Sequence, residues 1–125
     1  MTFMQNRTIL LTEDDRRVCE VTGLVLEAAG YRVITAGNGT RALQLLQNDA
    51  TVDLLLSDIR MPGGIDGIEL AKRVQVSWQI QIMLMSADPL SSFTWFPDNV
   101  TFLPKPYDRR SLLAAVNGLQ WPATA

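Results

Sequence analysis

Short apolar runs alternate along this chain with segments whose apolar residues recur at helical spacing. Runs of about four to eight residues bounded by turn residues are typical of buried strands. They predict five strands, at Thr8–Leu11, Tyr31–Ala36, Val52–Ser57, Gln81–Met85 and Val100–Leu103. The helical spacing predicts helices after Asp15, over Arg41–Gln47 and Ile68–Val76, and from Asp108 to Asn117.

The first helix has clear signals at both ends. Asp15 is a favoured N-cap residue, and Gly30 is placed where helices commonly stop. Its inward face is predicted to carry the apolar residues Val18, Val21, Leu24, Val25 and Ala28.

Strands that alternate with helices predict an α/β fold with a doubly wound parallel sheet. The segment Ala87–Val100 interrupts the alternation, because Pro89 and Pro97 leave room for a helix of about two turns at most. The fourth helix is therefore expected to be shortened or missing. We expect one domain over residues 1–125, with its core at about 8–119.

Composition narrows the function classes. The net charge of −2 offers no basic face for direct nucleic acid binding. Cys19 is the only cysteine, which suits a reducing compartment, and no apolar run approaches the ~18 residues of a membrane span. We therefore expect a cytoplasmic protein. The absence of histidine excludes a Ser-His-Asp triad and a histidine-ligated zinc.

Polar residues follow the predicted strands at the edge where ligands bind in open parallel sheets. They are Asp14, Asp15, Asp58, Ser86 and Lys105. Carboxylates are ligands that Mg²⁺ prefers, lysine supplies a compact positive charge, and aspartate is a known phosphoryl acceptor. Together they predict a pocket for a divalent metal and a phosphoryl group. Taken singly, the acids or the serine could instead cap helices, and the lysine could be an ordinary solvated residue.

At this point the chain resembles a known family. The motifs are Glu13-Asp14-Asp15, Asp58-Ile59-Arg60-Met61-Pro62 followed by Asp66-Gly67, Ser86-Ala87 and Lys105-Pro106. In this order they are similar to those of the receiver domain of bacterial two-component response regulators. The resemblance extends over Thr8–Leu119 and implies a flavodoxin-like sheet with strand order 2-1-3-4-5.

The resemblance also implies roles for individual residues. Asp58 would accept a phosphoryl group from a sensor histidine kinase or a phosphotransfer protein. Mg²⁺ would be held by Asp14, Asp15, Asp58 and the backbone carbonyl of Arg60. Lys105 would pair with the phosphate, and its bond to Pro106 would be cis. Ser86 and Phe102 would act as switch residues.

Two features depart from the family pattern. The positions that tune phosphate lifetime hold Arg60 and Asp88, and we hypothesise that they pair across the pocket and hinder water. The segment Ala87–Val100 carries Phe93, Trp95 and Phe96, which either cover the sheet or form an exposed patch for a partner.

These observations predict a phosphoacceptor response regulator that is not an enzyme in its own right, acts through a downstream protein, and is a monomer or weak dimer. Three alternatives remain. A degenerate receiver would serve only as a binding module. An Mg²⁺-dependent phosphatase with an aspartyl nucleophile would need a second acid where Arg60 stands. An FMN-binding protein would find Glu13-Asp14-Asp15 repulsive to its phosphate.

Overall fold

Strands and helices alternate through residues 7–49 and 51–121, which are the residues described by a computed structural model of the chain. The strands are β1 (Thr8–Thr12), β2 (Arg32–Ala36), β3 (Val52–Asp58), β4 (Gln81–Ser86) and β5 (Thr101–Pro104). The α-helices in these ranges are α1 (Arg16–Ala28), α2 (Gly39–Asn48), α3 (Gly67–Ser77) and α4 (Arg109–Asn117). The predicted bounds agree with these to within about two residues.

The strands form one parallel sheet in the order β2-β1-β3-β4-β5, which confirms the predicted fold class and strand order. β1 and β3 pair so that Thr12 lies opposite Ser57, and β3 and β4 pair so that Asp58 lies opposite Met85. The central strands are buried along almost their whole length, as expected for a sheet that is covered on both faces. Their carboxyl ends therefore meet at one edge.

The sheet divides the apolar interior into two layers. One layer lies between the sheet and helices α1 and α4, and includes Ile9, Leu11, Leu26, Leu112 and Val116. The other lies between the sheet and helices α2 and α3, and includes Leu10, Leu46, Leu55, Leu70 and Val74. None of the helices within 7–49 and 51–121 has the length and apolar character that a membrane span needs.

Helix α1 begins and ends as predicted but turns a different face to the sheet. Asp15 is its N-cap, and Gly30 adopts a positive φ of 101° just beyond the C-cap. Its buried residues are Thr22, Gly23 and Leu26, whereas Val21 and Leu24 are 62% and 66% exposed. The predicted face was wrong here because hydrophobicity alone counts Thr22 as polar. Its hydroxyl is in fact hydrogen-bonded to the Tyr107 hydroxyl at 2.7 Å.

The segment Ala87–Val100, which we call the aromatic segment, contains no α-helix. The structure describes every residue of this segment, and the helical backbone in it is limited to a 3₁₀ turn at Leu90–Ser92. The prediction of a shortened or missing helix is therefore confirmed. Phe93 and Phe96 pack against the α2–α3 layer in its place, while Trp95 is 51% exposed.

Candidate functional site

Asp58 is the last residue of β3, and it is buried where the three central strands end. The ammonium of Lys105, in the turn after β5, lies 2.6 Å from Asp58 Oδ1. The same ammonium lies 3.0 Å from Glu13 Oε1. One cation therefore bridges two carboxylates that come from different strand ends.

Three acidic residues at the site, Glu13, Asp14 and Asp58, form a close group. One carboxylate oxygen from each lies within 4.8 Å of the other two. The sheet register explains the arrangement, since Thr12 pairs with Ser57 and Glu13 consequently lies level with Asp58. Glu13 and Asp58 are buried, and Asp14 is exposed at the mouth of the pocket.

Asp15 lines the same pocket but lies outside this close acidic group, whereas the sequence predicted Asp14, Asp15 and Asp58 as the metal ligands. Its side chain accepts hydrogen bonds from the backbone N–H groups of Arg17 and Val18, and it therefore serves as the N-cap of α1. The sequence had assigned two roles to Asp15, as a cap and as a metal ligand. The register of β1 against β3 places Glu13, and not Asp15, level with Asp58.

The close carboxylates shift each other's titration. Burial of Asp58, together with the hydrogen bond that its protonated carboxyl donates to Glu13, raises the pKa of Asp58 to about 7, against the opposing effect of Lys105. Burial alone would raise the pKa of Glu13, but its hydrogen bonds with Asp58, the Asp15 backbone N–H and Lys105 outweigh burial and lower that pKa. The pair therefore holds a proton on Asp58 near neutral pH. Burial alone would lower the pKa of Lys105, but its two carboxylate partners raise it.

Ser86 ends β4 on the other side of Asp58 and is also buried. Its Oγ accepts a hydrogen bond from the backbone N–H of Asp88 at 3.0 Å. The Asp88 carboxylate in turn pairs with Arg60, whose Nε lies 2.5 Å from Asp88 Oδ2. Arg60 and Asp88 therefore form the contact that was predicted across the pocket.

Two turns hold the pocket in shape. The Lys105 backbone N–H donates to the Ser86 carbonyl at 2.8 Å, and the Lys105–Pro106 bond is cis, as predicted. After β3, the Gly67 N–H donates to the Ile59 carbonyl at 2.7 Å. A Cβ atom on Gly67 would lie 2.1 Å from the Asp58 carbonyl oxygen, so only glycine fits where α3 begins.

Comparison with known proteins identifies this arrangement. Residues 9–117 match the response regulator receiver domain. The chain belongs to this family. The receiver domain is 34% identical over 116 residues to the transcriptional regulatory protein CpxR of Escherichia coli, covering 89% of this chain and 48% of CpxR. It thus spans about half the length of that relative.

Solved structures give the same result. The receiver domain of the hybrid histidine kinase CckA is 37% identical, with a TM-score of 0.75 and coverage of 89% of this chain and 96% of that one. The chemotaxis response regulator CheY4 of Vibrio cholerae is 24% identical, with a TM-score of 0.83 and coverage of 91% and 98%. The first supports the family and the second the fold.

The site of the receiver domain fits a magnesium ion by its donor chemistry. Glu13, Asp14 and Asp58 offer three carboxylates, which are the hard oxygen ligands that Mg²⁺ prefers. These side chains, with Arg60, Ser86, Asp88 and Lys105, line an open pocket of ≈ 360 Å³. Clustered carboxylates with a single ammonium nearby favour a further cation, because their charges repel one another.

The remaining predicted residue, Phe102, lies on β5, outside this pocket. It is partly buried and meets the ring of Phe96 edge to face, with centroids 6.0 Å apart. Besides Glu13, a second residue near the site, Tyr107, was not predicted from the sequence. Tyr107 ties the turn that carries Lys105 to helix α1 through its bond with Thr22. The signal in the sequence was a hydroxyl-bearing aromatic residue two positions after Lys105, together with the polar Thr22 among apolar residues of α1.

Proposed function

We propose that this receiver domain accepts a phosphoryl group on Asp58 and reports its presence to a partner protein. The observation that carries the proposal is the convergence of Lys105, Glu13 and Asp14 on the Asp58 carboxylate. A buried carboxylate beside an ammonium and two further acids has the parts that phosphoryl transfer to aspartate requires.

In the proposed step, a carboxylate oxygen of Asp58 forms a bond to phosphorus. The bond between phosphorus and the donor atom breaks, and its electron pair stays with the donor, which takes up a proton from solvent. The donor would be the phosphohistidine of a sensor histidine kinase or phosphotransfer protein, or a small acyl phosphate. Asp58 must be ionised to react, and Lys105 favours that form.

Glu13, Asp14 and Asp58 would hold Mg²⁺, together with the backbone carbonyl of Arg60. When bound, the ion would offset the charge of the incoming phosphoryl oxygens. Lys105 would hold one of these oxygens as a point charge. In this proposal Asp15 would stay outside the ligand set, since its carboxylate caps α1.

Ser86 would donate its hydroxyl to the phosphoryl group and Phe102 would respond as a switch residue, which are roles carried over from the family. Arg60 and Asp88 lie at the pocket mouth and are paired before phosphorylation. Their side chains would limit the access of water there and so lengthen the life of the phosphoaspartate. The receiver domain would act in the cytoplasm through protein contacts, without an enzymatic activity beyond its own phosphorylation and dephosphorylation.

The phosphatase alternative needs an acid two residues after the nucleophile, and the side chain there is Arg60, which pairs with Asp88. The FMN alternative needs a pocket that attracts a bare phosphate, and here the end of β1 presents Glu13 and Asp14. No specific observation favours either of them over phosphoryl acceptance.

The test is intact-mass spectrometry after incubation with acetyl phosphate and Mg²⁺. We expect one added phosphoryl group in the wild type and in Asp53→Asn, a control at the opposite end of β3 whose carboxylate bonds to the Thr8 backbone N–H. Asp58→Asn should add none. A wild type that stays unmodified would leave the degenerate binding module as the better account.

A further inference from the structure

We propose that Asp88 couples the phosphorylation of Asp58 to a shift of the aromatic segment. Asp88 is held by the Ser86 hydroxyl and the Arg60 guanidinium, and the phosphoryl group would attract both of them. The inference rests on the proposed function. It assigns to Arg60 and Asp88 the coupling of the pocket to the surface of the domain.

Asp88 is held from two sides at the start of the aromatic segment. Its backbone N–H donates to Ser86 Oγ at 3.0 Å, and its carboxylate accepts from Arg60 Nε. Ser86 and Arg60 line the same pocket as Asp58. The anchoring of the segment therefore depends on side chains that line the pocket of the phosphoacceptor.

Arg60 makes a second contact with the segment. Its guanidinium carbon lies 5.3 Å from the centroid of the Phe93 ring, within the range of a cation–π interaction. One side chain from the loop after β3 thus holds both the carboxylate of Asp88 and the ring of Phe93.

The rest of the segment is also held mainly by side chains. The Trp95 ring lies 5.3 Å from Lys72 Nζ on α3, and Phe96 packs on Phe102. Gln75 of α3 donates to the Asp98 carbonyl at 2.8 Å. A segment with a 3₁₀ turn in place of an α-helix has few backbone hydrogen bonds of its own, so its position follows from these contacts.

A phosphoryl group on Asp58 would compete directly for the groups that hold Asp88. It brings about −1.5 to −2 charges and three acceptor oxygens, and both guanidinium and hydroxyl groups bind such oxygens strongly. Arg60 and Ser86 would turn to the phosphoryl group, and the Asp88 carboxylate would be repelled by it. Asp88 would lose both bonds together, Phe93 would lose its cation, and the segment around Trp95 would shift.

The experiment is fluorine NMR of the domain grown with 5-fluorotryptophan, before and after acetyl phosphate and Mg²⁺. Trp95 lies in the aromatic segment, while Trp121 contacts Tyr31 and Arg7 on the other side of the sheet and serves as an internal reference. In the wild type we expect the Trp95 resonance to move by more than its linewidth and the Trp121 resonance to stay. The Trp95→Phe spectrum assigns the signal.

Arg60→Gln is the decisive variant, with Arg73→Gln as its matched control. Arg73 also pairs with a carboxylate, Glu69, at 3.0 Å, but away from the pocket. In Arg60→Gln the Trp95 resonance should already lie near its phosphorylated position and move little further, while Arg73→Gln should behave as the wild type. Asp88→Asn should resemble Arg60→Gln.

Intact mass measured on the same samples distinguishes a failure of phosphorylation from a failure of the coupling. If Asp58 gains no phosphoryl group, the proposed function fails. If Asp58 is phosphorylated and the Trp95 resonance is unmoved, or moves equally in Arg60→Gln and the wild type, the coupling through Asp88 is wrong while the proposed function stands.

Discussion

The ammonium of Lys105 lies 2.6 Å from Asp58 Oδ1, so the turn after β5 supplies the cation for the carboxylate at the end of β3. Glu13 contacts the same ammonium. Lys105 therefore opposes the combined effect of burial and Glu13 on the pKa of Asp58.

Replacing Lys105 with methionine should raise the pKa of Asp58 above about 7, because the ammonium that stabilises the ionised form is lost. Phosphorylation by acetyl phosphate at pH 7 should slow by about tenfold or more. Carbon-13 NMR of the carboxyl group and the rate of mass gain measure the two effects. Lys72→Met, on the surface of α3, is the control, and equal rates for the two variants would contradict the role of Lys105.

Substitution of Glu13 should affect Mg²⁺ binding, whereas substitution of Asp15 should affect the stability of the domain. Glu13→Gln should weaken Mg²⁺ binding by about tenfold or more, because it removes one of the three clustered carboxylates. Asp15→Ala should leave Mg²⁺ binding almost unchanged and lower the free energy of unfolding by about 1 kcal/mol, since it removes the N-cap of α1.

For both variants, calorimetric titration with Mg²⁺ measures the binding of the ion, and urea unfolding measures the free energy of unfolding. Asp15→Asn supplies the control, because asparagine caps helices about as well as aspartate and should restore stability. Loss of Mg²⁺ binding in Asp15→Ala with retention in Glu13→Gln would restore the ligand set expected from the sequence.

The stability of the metal-free domain should fall as pH rises from about 5 to about 8. Asp58 has a pKa of about 7 in the folded domain and about 3.9 when unfolded, so the folded state binds more protons in this interval. Stability falls with pH wherever the folded state holds the extra proton, here by up to about 1 kcal/mol per pH unit. Urea unfolding in EDTA at several pH values measures the slope.

Asp58→Asn should flatten this dependence, because the titrating carboxyl is gone. Saturating Mg²⁺ should also reduce it, since the ion binds the ionised carboxylate and favours proton release. A wild-type slope that Asp58→Asn leaves unchanged would show that another group titrates.

Gly67→Ala should destabilise the domain and disturb the pocket. The new Cβ would lie 2.1 Å from the carbonyl oxygen of Asp58, and that backbone cannot move without shifting the phosphoacceptor. We expect a loss of about 2 kcal/mol or more in the free energy of unfolding. Gly37→Ala is the matched control, because its Cβ would meet no atom within 4 Å. Similar unfolding curves for the two variants would contradict the close packing at Gly67.

Arg60→Ala should shorten the lifetime of the phosphoaspartate. Arg60 lines the mouth of the pocket, where it pairs with Asp88 before phosphorylation. Once it has turned to the phosphoryl group, its side chain would still block the path of water, so its removal opens that path. After acetyl phosphate is removed, loss of the phosphoryl group followed by intact mass gives the rate. Arg73→Ala, which breaks a pair elsewhere on the surface, should decay as the wild type does.

Local patterns were enough to predict the sheet and most of the pocket. Strand ends in a parallel sheet share one edge, so Asp58, Ser86 and Lys105 could be brought together from their positions after apolar runs. Pro89 and Pro97 likewise predicted the missing helix. The pairing of Arg60 with Asp88 was a hypothesis about the two positions that tune phosphate lifetime in the family, and the two side chains are in contact.

The features that were missed depend on contacts between distant parts of the chain. The register of β1 against β3 places Glu13, rather than Asp15, in the close group with Asp58, and adjacent residues do not reveal this register. The face of α1 depends on Thr22 finding the hydroxyl of Tyr107, a residue 85 positions away. The sequence also left open whether the aromatic rings are buried or exposed. In the structure Phe93 and Phe96 pack against the core, and Trp95 is half exposed.

The division of the interior by the sheet has a consequence for partner selection. The rings Phe93 and Phe96 of the aromatic segment pack on the α2–α3 layer, whereas α1 and α4 share a separate layer on the opposite face. With the proposed coupling, a shift of the segment leaves the packing of α1 and α4 intact. A protein that contacts only those two helices would bind the phosphorylated and unphosphorylated domain with equal affinity. Only a protein that contacts the face with the aromatic segment would distinguish the two forms.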